Sequence, residues 1–600
     1  MWMLLALAGA LIPALLAPSF SFYFDVTPKV VALLLAVAVA LLFWRRPPGL
    51  FGWLLAAQLV WLGVATAAST HLALSLNGGA WRRFGFVTSA AILLYALMVL
   101  SDARDRVTWY LRAIVATGLP IALYGIMQHY GLDPLLSSIS YHSGDAPFTI
   151  VRPPSTLGHA SYFATYLVFV VFAALGCGKT SRVWTAVGWV TALVSLFAIV
   201  LSGTRAALVG VAAGGLLLLV RMPRLPLKRI AALAGACALA LAVLYLSPAG
   251  EGLRTRLHWA LEEPLGGARP LLWRDSLRMA AERPWLGYGP ETFGAEFPRH
   301  ESVELARAWP DFQHESPHNV FLDILLAQGI PGLLLFLATL AMAFLARGAD
   351  PLVRTGPPGP ARPSSVPILT AGLAGALVAQ QFNALTLATA LPLYLFVALL
   401  AGASEAPQPV TRLISWPRLA YAVAAVGFVV FATHLALADH ELARARDSFT
   451  RLDLPSALAH YESARRWHPA GSSPDLYASR ELANLFQRTN DVRVKLQTWT
   501  PAFQAAARAT RADEQRHQAF YNLAIFFATQ NDGPNVERSL RNALVWAPNW
   551  FKPHWALARL FSVEGRLSEA RQEARLADDL DGGKDAQVRA TLASFNGVVQ

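Results

Sequence analysis

The sequence predicts an all-α protein: a polytopic membrane helix bundle of about 12–13 spans, with a large loop on one face and a C-terminal α-helical repeat domain. Three observations carry this. Apolar residues make up 55% of the 600 and charged residues only 15%, against about 25% charged in ordinary soluble domains. The deficit is uneven: residues 1–437 hold 29 Lys+Arg and 19 Asp+Glu, whereas 438–600 hold 21 and 19 in a much shorter stretch. Finally, Tyr521, Leu523–Ala524 and Phe526–Phe527 recur 34 residues later as Trp555, Leu557–Ala558 and Leu560–Phe561. The domains are thus 1–437, polytopic, and 438–600, soluble.

A spanning helix needs about 20 mostly apolar residues. The candidate runs are 2–19, 27–44, 50–68, 84–100, 107–128, 158–176, 183–201, 206–220, 230–246, 319–345, 366–382, 387–403 and 418–437. The first lacks the basic start and small-x-small cleavage site of a signal peptide, so it is expected to be a retained helix. The stretch 366–403 is too long for one span and is expected to turn at Gln380, Gln381 and Asn383. Cys177 and Cys237 fall at or inside apolar runs and suggest neither a disulfide framework nor a metal site.

Net charge is +12. Most of the excess lies in short loops between apolar runs, which is the membrane-orientation signal and points away from nucleic acid. With the N-terminus cytoplasmic and the spans alternating, the inner loops hold 15 Lys+Arg against 4 Asp+Glu, and the largest outer loop, 247–317, holds 8 against 11. This puts 438–600 outside the cytoplasm.

Four stretches on the outer face could carry chemistry. Ser202-Gly203-Thr204-Arg205 joins two apolar runs almost without a loop and sets Arg205 at the membrane surface, where an arginine needs an anion or a route to the headgroups. Trp273-Arg274-Asp275-Ser276-Leu277-Arg278 reads as an amphipathic helix with Arg274 and Arg278 on one face. They bracket an anion or belong to a solvated face balanced by Asp275 and Glu282. Glu282-Arg283-Pro284-Trp285-Leu286-Gly287-Tyr288-Gly289-Pro290 is expected to be an ordered turn that shapes the site. Pro317-His318-Asn319 opens an apolar helix, with Pro317 near its start and His318 projecting from its first turn as a base or as a helix cap. His314, Glu315 and His318 match no strong metal spacing, so neither a metal nor a cofactor is expected.

Together these stretches resemble the O-antigen ligase and polymerase superfamily, which includes bacterial protein O-oligosaccharyltransferases. The resemblance is strongest over about 200–345, including Gln328-Gly329-Ile330-Pro331-Gly332. It extends to Tyr124-Gly125-Ile126-Met127-Gln128 and to Arg152-Pro153-Pro154-Ser155-Thr156-Leu157-Gly158-His159, where many relatives carry Asn in place of His159. Residues 438–600 resemble tetratricopeptide repeats, about four of them, with Trp546, Trp550 and Trp555 expected in the repeat core or on a concave peptide- or glycan-binding face.

The resemblance implies a metal-independent glycosyltransferase in the bacterial inner membrane. It would move a glycan from undecaprenyl diphosphate to an acceptor hydroxyl on the periplasmic side. The acceptor would be lipid A-core for a ligase, another glycan for a polymerase, or a protein. Arginine forks suit a diphosphate, so Arg205 and Arg274 are expected to hold it, with Arg278 and Arg152 as further contacts and His318 as the base. Membrane lipids and a protein bound to the repeats are the other expected partners. Readings from another class are a polysaccharide transporter or flippase, or an envelope-assembly scaffold. A transporter would place polar groups across the midplane, whereas the ionisable groups here gather at one face, apart from Asp323.

Overall fold

The computed structural model describes residues 1–44, 49–103, 106–143, 150–178, 181–221, 245–246, 254, 267–345, 365–404 and 416–596. Residues 230–244 of the expected span 230–246, most of 247–266 and much of the basic inner loops lie outside the described residues. The described chain is helical apart from one two-residue antiparallel pair, β1 (His142–Ser143) with β2 (Ile150–Val151).

The membrane region contains α1 (Trp2–Leu11), α2 (Thr27–Leu41), α3 (Gly49–Ala67), a short α4 (Leu72–Asn77), α5 (Phe86–Leu100), α6 (Val107–His129), α7 (Ala160–Cys177), α8 (Arg182–Leu201) and α9 (Arg205–Arg221). The outer loop supplies α10 (Arg269–Glu282), α11 (Phe293–Glu296) and α12 (Val303–Ala308). Then come α13 (Val320–Leu345), α14 (Val366–Gln380), α15 (Leu387–Ser404) and α16 (Trp416–Thr450). Every expected span that falls on described residues coincides with an apolar helix. Six of these are long and apolar enough to cross a membrane, and five more are shorter. Among the shorter ones, α5 and α14 are buried along most of their length, and α15 is buried throughout Leu387–Gly402. Neighbouring helices, rather than lipid, therefore solvate them.

Close packing here relies on small residues, as it must where lipid supplies no hydrophobic drive between helices. The helices α9 and α14 cross at Gly210 and Gly375, where a Cβ on either would lie 2.4–2.5 Å from the other's carbonyl oxygen.

The connections sort to two ends of the bundle. At one end, Arg106 stacks on Trp2, Trp44 packs on Tyr421, and Gly402 meets Ala103. At the other, the segments after α1, between α3 and α5, between α6 and α7, before α9 and before α13 all meet. The Lys29 ammonium donates to Leu15 and Thr156 carbonyls, and Arg82 donates to Leu385. These two sets are the loops that the basic-residue alternation assigns to opposite sides.

Helix α16 has 35 residues, about 52 Å at 1.5 Å per residue. It lies beside α2 in the bundle and continues without a break through the expected boundary at 437/438 to become the first helix of the repeats. The remaining helices pair in sequence: α17 (Leu454–Trp467) on α16, α18 (Asp475–Arg488) with α19 (Val492–Ala509), α20 (Arg516–Thr529) with α21 (Gly533–Trp546), and α22 (Phe551–Val563) with α23 (Leu567–Asp581), followed by α24 (Ala586–Asn596).

This domain is docked on the outer loops. His71 pairs with both Asp513 and Glu296 at 3.0 Å, Arg307 with Asp579, and Lys552 with Asp311. Trp546 is therefore not simply repeat core. Arg299 of the outer loop lies 3.6 Å from its ring centre and Arg516 lies 4.5 Å away. Trp550 likewise donates to Asp311, while the Trp555 indole donates to Thr591 and packs on a cluster that Ala306 of the outer loop joins. The sequence pattern marks helix faces for burial but cannot say whether a buried face meets the next repeat or another domain.

Candidate functional site

The helix α13 is broken in the middle. Gly329 has φ +68° and ψ −173°, so the ladder stops there and restarts before Pro331. The turn Pro284–Gly289 fills the gap with its own backbone. Ile330 donates to Pro284 at 2.7 Å, Tyr288 to Leu326 at 2.8 Å, and Gly289 to Ala327 at 3.1 Å, while the Trp61 indole donates to the Gln328 carbonyl at 2.9 Å. Irregular backbone at membrane depth is tolerated only when such partners satisfy it. Both glycines are required: a Cβ on Gly329 would meet the Trp285 carbonyl oxygen at 2.3 Å, and one on Gly287 the Leu326 oxygen at 2.5 Å.

The half-helix before the break carries His318 at its entrance. Helix α13 begins at Val320, so His318 precedes the first turn that the sequence assigned to it. Asn319 is the cap, its Oδ1 accepting from the amides of Phe321 and Leu322. His318 itself sits at φ +50°, a conformation that is costly for a side-chain-bearing residue and recurs at functional sites. Its amide donates to Ser316 Oγ, which also lies 3.4 Å from its Nδ1. The tautomer donating from Nδ1 leaves Nε2 as the proton acceptor.

Three arginines from three elements are linked in this region: Arg269 acts on His318, and Arg205 and Arg152 are each coupled to Arg269. Arg205 opens α9 after the Gly203 turn (φ +64°), and Thr204 Oγ1 ties that turn to the Ala160 carbonyl at the start of α7. Arg152 lies just after β2 and reaches Ser161 at 3.3 Å. Among the described residues, its buried Nε finds no acceptor. Arg269 opens α10, donates to the Phe382 carbonyl and lies over the Phe382 ring. Burial and then the Arg205 charge lower the Arg269 pKa; burial and then Arg269 lower that of Arg152. This is mutual repulsion within a concentrated cationic group.

The same charges act on two histidines. Burial, then Arg269, His159 and Arg82, push His318 down to about 4 against the opposing pull of Asp323. Burial and Arg152 likewise push His159 to about 4. His159 nevertheless remains accessible to solvent. Behind the site, the buried Arg82 binds Asp323 through two bonds of 2.8 and 3.2 Å and also binds Glu291.

Arg274 and Arg278 are not in this group. Arg274 donates to Asp275, Ser302 and Glu304, and Arg278 lies 3.6 Å from the same Asp275 oxygen. The anion between them is the protein's own carboxylate. Helix geometry explains the separation. At about 100° per residue, Arg274 and Arg278 lie about 120° and 160° round the helix from the middle of the face carrying Arg269 and Trp273. Trp273 faces the site, donating to the Pro317 carbonyl at 2.9 Å. Arg269 is the residue that sequence reasoning missed. It stands four before Trp273, on the same face, but beyond the point where the apolar spacing marked the helix start. His314 is also apart, its ring packed between Phe297 and Phe312.

The upstream motifs meet directly. Gln128 Oε1 accepts from the Ser155 amide at 2.6 Å, joining the end of α6 to the segment that carries Arg152 and His159.

Residues 190–337 match the sequence model of a family described as O-antigen ligase. The chain is 35% identical over 144 residues to an O-antigen ligase of Pseudomonas aeruginosa (strain PAO1), a match covering 23% of this chain and 33% of that protein. The chain thus spans about a third of that relative's length. It is also similar to a tetratricopeptide-repeat protein of Thermus thermophilus (20% identity, 30% of this chain and 94% of that one, TM-score 0.22). A second solved structure to which the chain is similar is that of PilF of Pseudomonas aeruginosa (18% identity, 30% of this chain and 81% of that one, TM-score 0.21). Residues 190–337, the stretch that resembles the O-antigen ligase family, carry the Arg205 turn, Arg269, the docked glycine turn and His318.

Proposed function

We propose that the protein is an O-antigen-ligase-type glycosyltransferase of the bacterial inner membrane that takes its glycan from undecaprenyl diphosphate. What supports this is the electrostatic coupling of Arg152 and Arg205 to Arg269, and of Arg269 to the strained His318, at the outer face. Gathered positive charge of this kind favours an anionic ligand. A diphosphate at the membrane surface supplies concentrated negative charge, and guanidinium forks match its oxygens.

In the transfer, the acceptor hydroxyl oxygen attacks the anomeric carbon. The bond from that carbon to the diphosphate oxygen breaks, and the diphosphate leaves with the electron pair. The hydroxyl proton passes to His318. Fixed cations stabilise the departing charge without reorganising, the role a metal would fill elsewhere. A histidine held near 4 is neutral at physiological pH but a weak base. Diphosphate bound beside Arg269 removes part of the repulsion that depresses it, so donor binding would strengthen the base.

With the N-terminus cytoplasmic, the site and the repeats face the periplasm. Single cysteines at Ser568 and Ser364 test this: the first should react with an impermeant thiol reagent in intact spheroplasts, the second only after lysis. For the chemistry, His318→Ala should cut transfer by about 10²–10⁴-fold while donor is retained. His318→Asn should do no better, since Asn319 already caps the helix. A nearly active Asn variant would remove His318 from the base role.

A further inference from the structure

We propose that residues 130–142 form an apolar lip seated in the outer leaflet of the bilayer, on the side of the cationic site. The exposed face of α6 and its end is a continuous helical stripe: Trp109, Ala116, Pro120, Leu123, Met127 and Tyr130. The spacings of seven, four, three, four and three residues mark one helix face; from Ala116 to Tyr130 its exposed positions carry no charge, and Arg112, half-buried near the helix start, lies over the Trp109 ring. This is the lipid-facing side of a span.

The stripe does not stop where the helix does. Leu132, Leu135 and Ile139 follow, exposed by 64%, 54% and 83%. Their exposure is built in. Asp133 accepts from the Tyr124 hydroxyl, the Gln128 amide group and the backbone amides of Leu135 and Leu136 at 2.8–3.1 Å. These bonds fold the segment over the end of α6 and leave its large aliphatic side chains outward. Ser137, Ser138, Ser140 and His142 alternate with them, a mixture suited to the headgroup boundary. Continuity with the lipid-facing stripe identifies the occupant as phospholipid acyl chains of that leaflet.

The lip is tied to the site at two points. The Arg152 amide donates to the Tyr141 carbonyl at 2.9 Å, and Gln128 bridges Asp133 to the Ser155 amide. Seating the lip in the leaflet therefore fixes Arg152 at headgroup depth, where a lipid-linked diphosphate lies. The inference rests on the reading of α6 as a membrane span.

The test uses the full chain with Cys177→Ala and Cys237→Ala, reconstituted in phosphatidylethanolamine–phosphatidylglycerol nanodiscs. Nitroxides on Leu123→Cys, Leu135→Cys, Ile139→Cys and Ser568→Cys are compared for collision with oxygen and with a water-soluble nickel chelate. Oxygen should dominate at 135 and 139, as at 123, and the chelate at 568. Chelate-dominated collisions at 135 and 139 with oxygen-dominated collisions at 123 would overturn the lip and leave the span intact. Chelate-dominated collisions at 123 as well would overturn the membrane reading of α6 itself.

Discussion

Arg82 and Arg83 are adjacent in the chain, both fully buried, and bind opposite bodies of the protein. Arg82 holds Asp323 of α13, Glu291 of the outer loop and the Leu385 carbonyl. Arg83, at φ +50°, holds Ser472 and meets His468 in the repeat domain. One short loop thus clasps the repeats to the helix that begins at His318. Around it, Glu514 accepts from the Ala80 amide and Glu291 from that of Gly79.

Arg82→Ala would leave Asp323 and Glu291 without their cation. Removing one partner of a buried pair costs about 3–5 kcal/mol. The variant should show a lower unfolding midpoint in detergent, and Arg82→Ala combined with Asp323→Asn should lose less than the sum of the two single changes. Strict additivity would show that the pair carries no coupling.

His71 predicts an alkaline sensitivity. Burial alone would lower its pKa, but the Asp513 and Glu296 bonds outweigh this and raise it to about 9. The stabilisation is fully present below the unfolded value of about 6.5 and is lost as pH rises through 9. Relative to His71→Gln, the wild-type unfolding midpoint should therefore decline between pH 7 and 10. Parallel profiles would show that the His71 pairs do not contribute.

The transfer reaction should show the opposite edge. His318 in the free protein is neutral above about 4, so kcat/KM should stay level from neutral pH down to about 5 and fall near 4 as the imidazole gains its proton. The limb in kcat should lie higher, because bound diphosphate offsets Arg269. A single limb near 6.5 in both profiles would show that the cations do not act on this group.

The joint between the turn and α13 leaves no room for change. Gly329→Ala or Gly287→Ala forces a Cβ into backbone at 2.3–2.5 Å in a left-handed conformation. Either variant should reduce the abundance of folded protein in membranes, measured by resistance to limited proteolysis. Wild-type resistance would mean that the break is not held by the turn.

These relationships mark what the sequence could and could not convey. Apolar runs locate spans because the bilayer selects for them directly, and the short motifs near Arg205 and His318 stand out because polar residues there are unusual. The pairing of Gly287 with Gly329 and of Gln128 with Ser155 is invisible in a linear pattern, since each is a contact between segments distant in the chain. Arg274 and Arg278 drew attention because they share a face. Which face meets the site depends on the docking of Trp273 against Pro317, a tertiary contact that periodicity does not encode.

The central claim is that the anion site is built on Arg269 together with Arg152 and Arg205, and not on Arg274. The most direct measurement compares Arg269→Ala with Arg274→Ala at matched membrane abundance, following glycan transfer and retention of the lipid-linked donor. Loss of a charge-assisted hydrogen bond costs about 1.5–3 kcal/mol, so Arg269→Ala should weaken both by roughly tenfold to a hundredfold. Arg274→Ala removes a half-exposed guanidinium, while the buried Asp275 keeps the Ser302 amide and hydroxyl and Arg278 as partners; at matched abundance its transfer and donor retention should stay near wild type. An Arg274 variant that loses transfer while the Arg269 variant retains it would contradict the account.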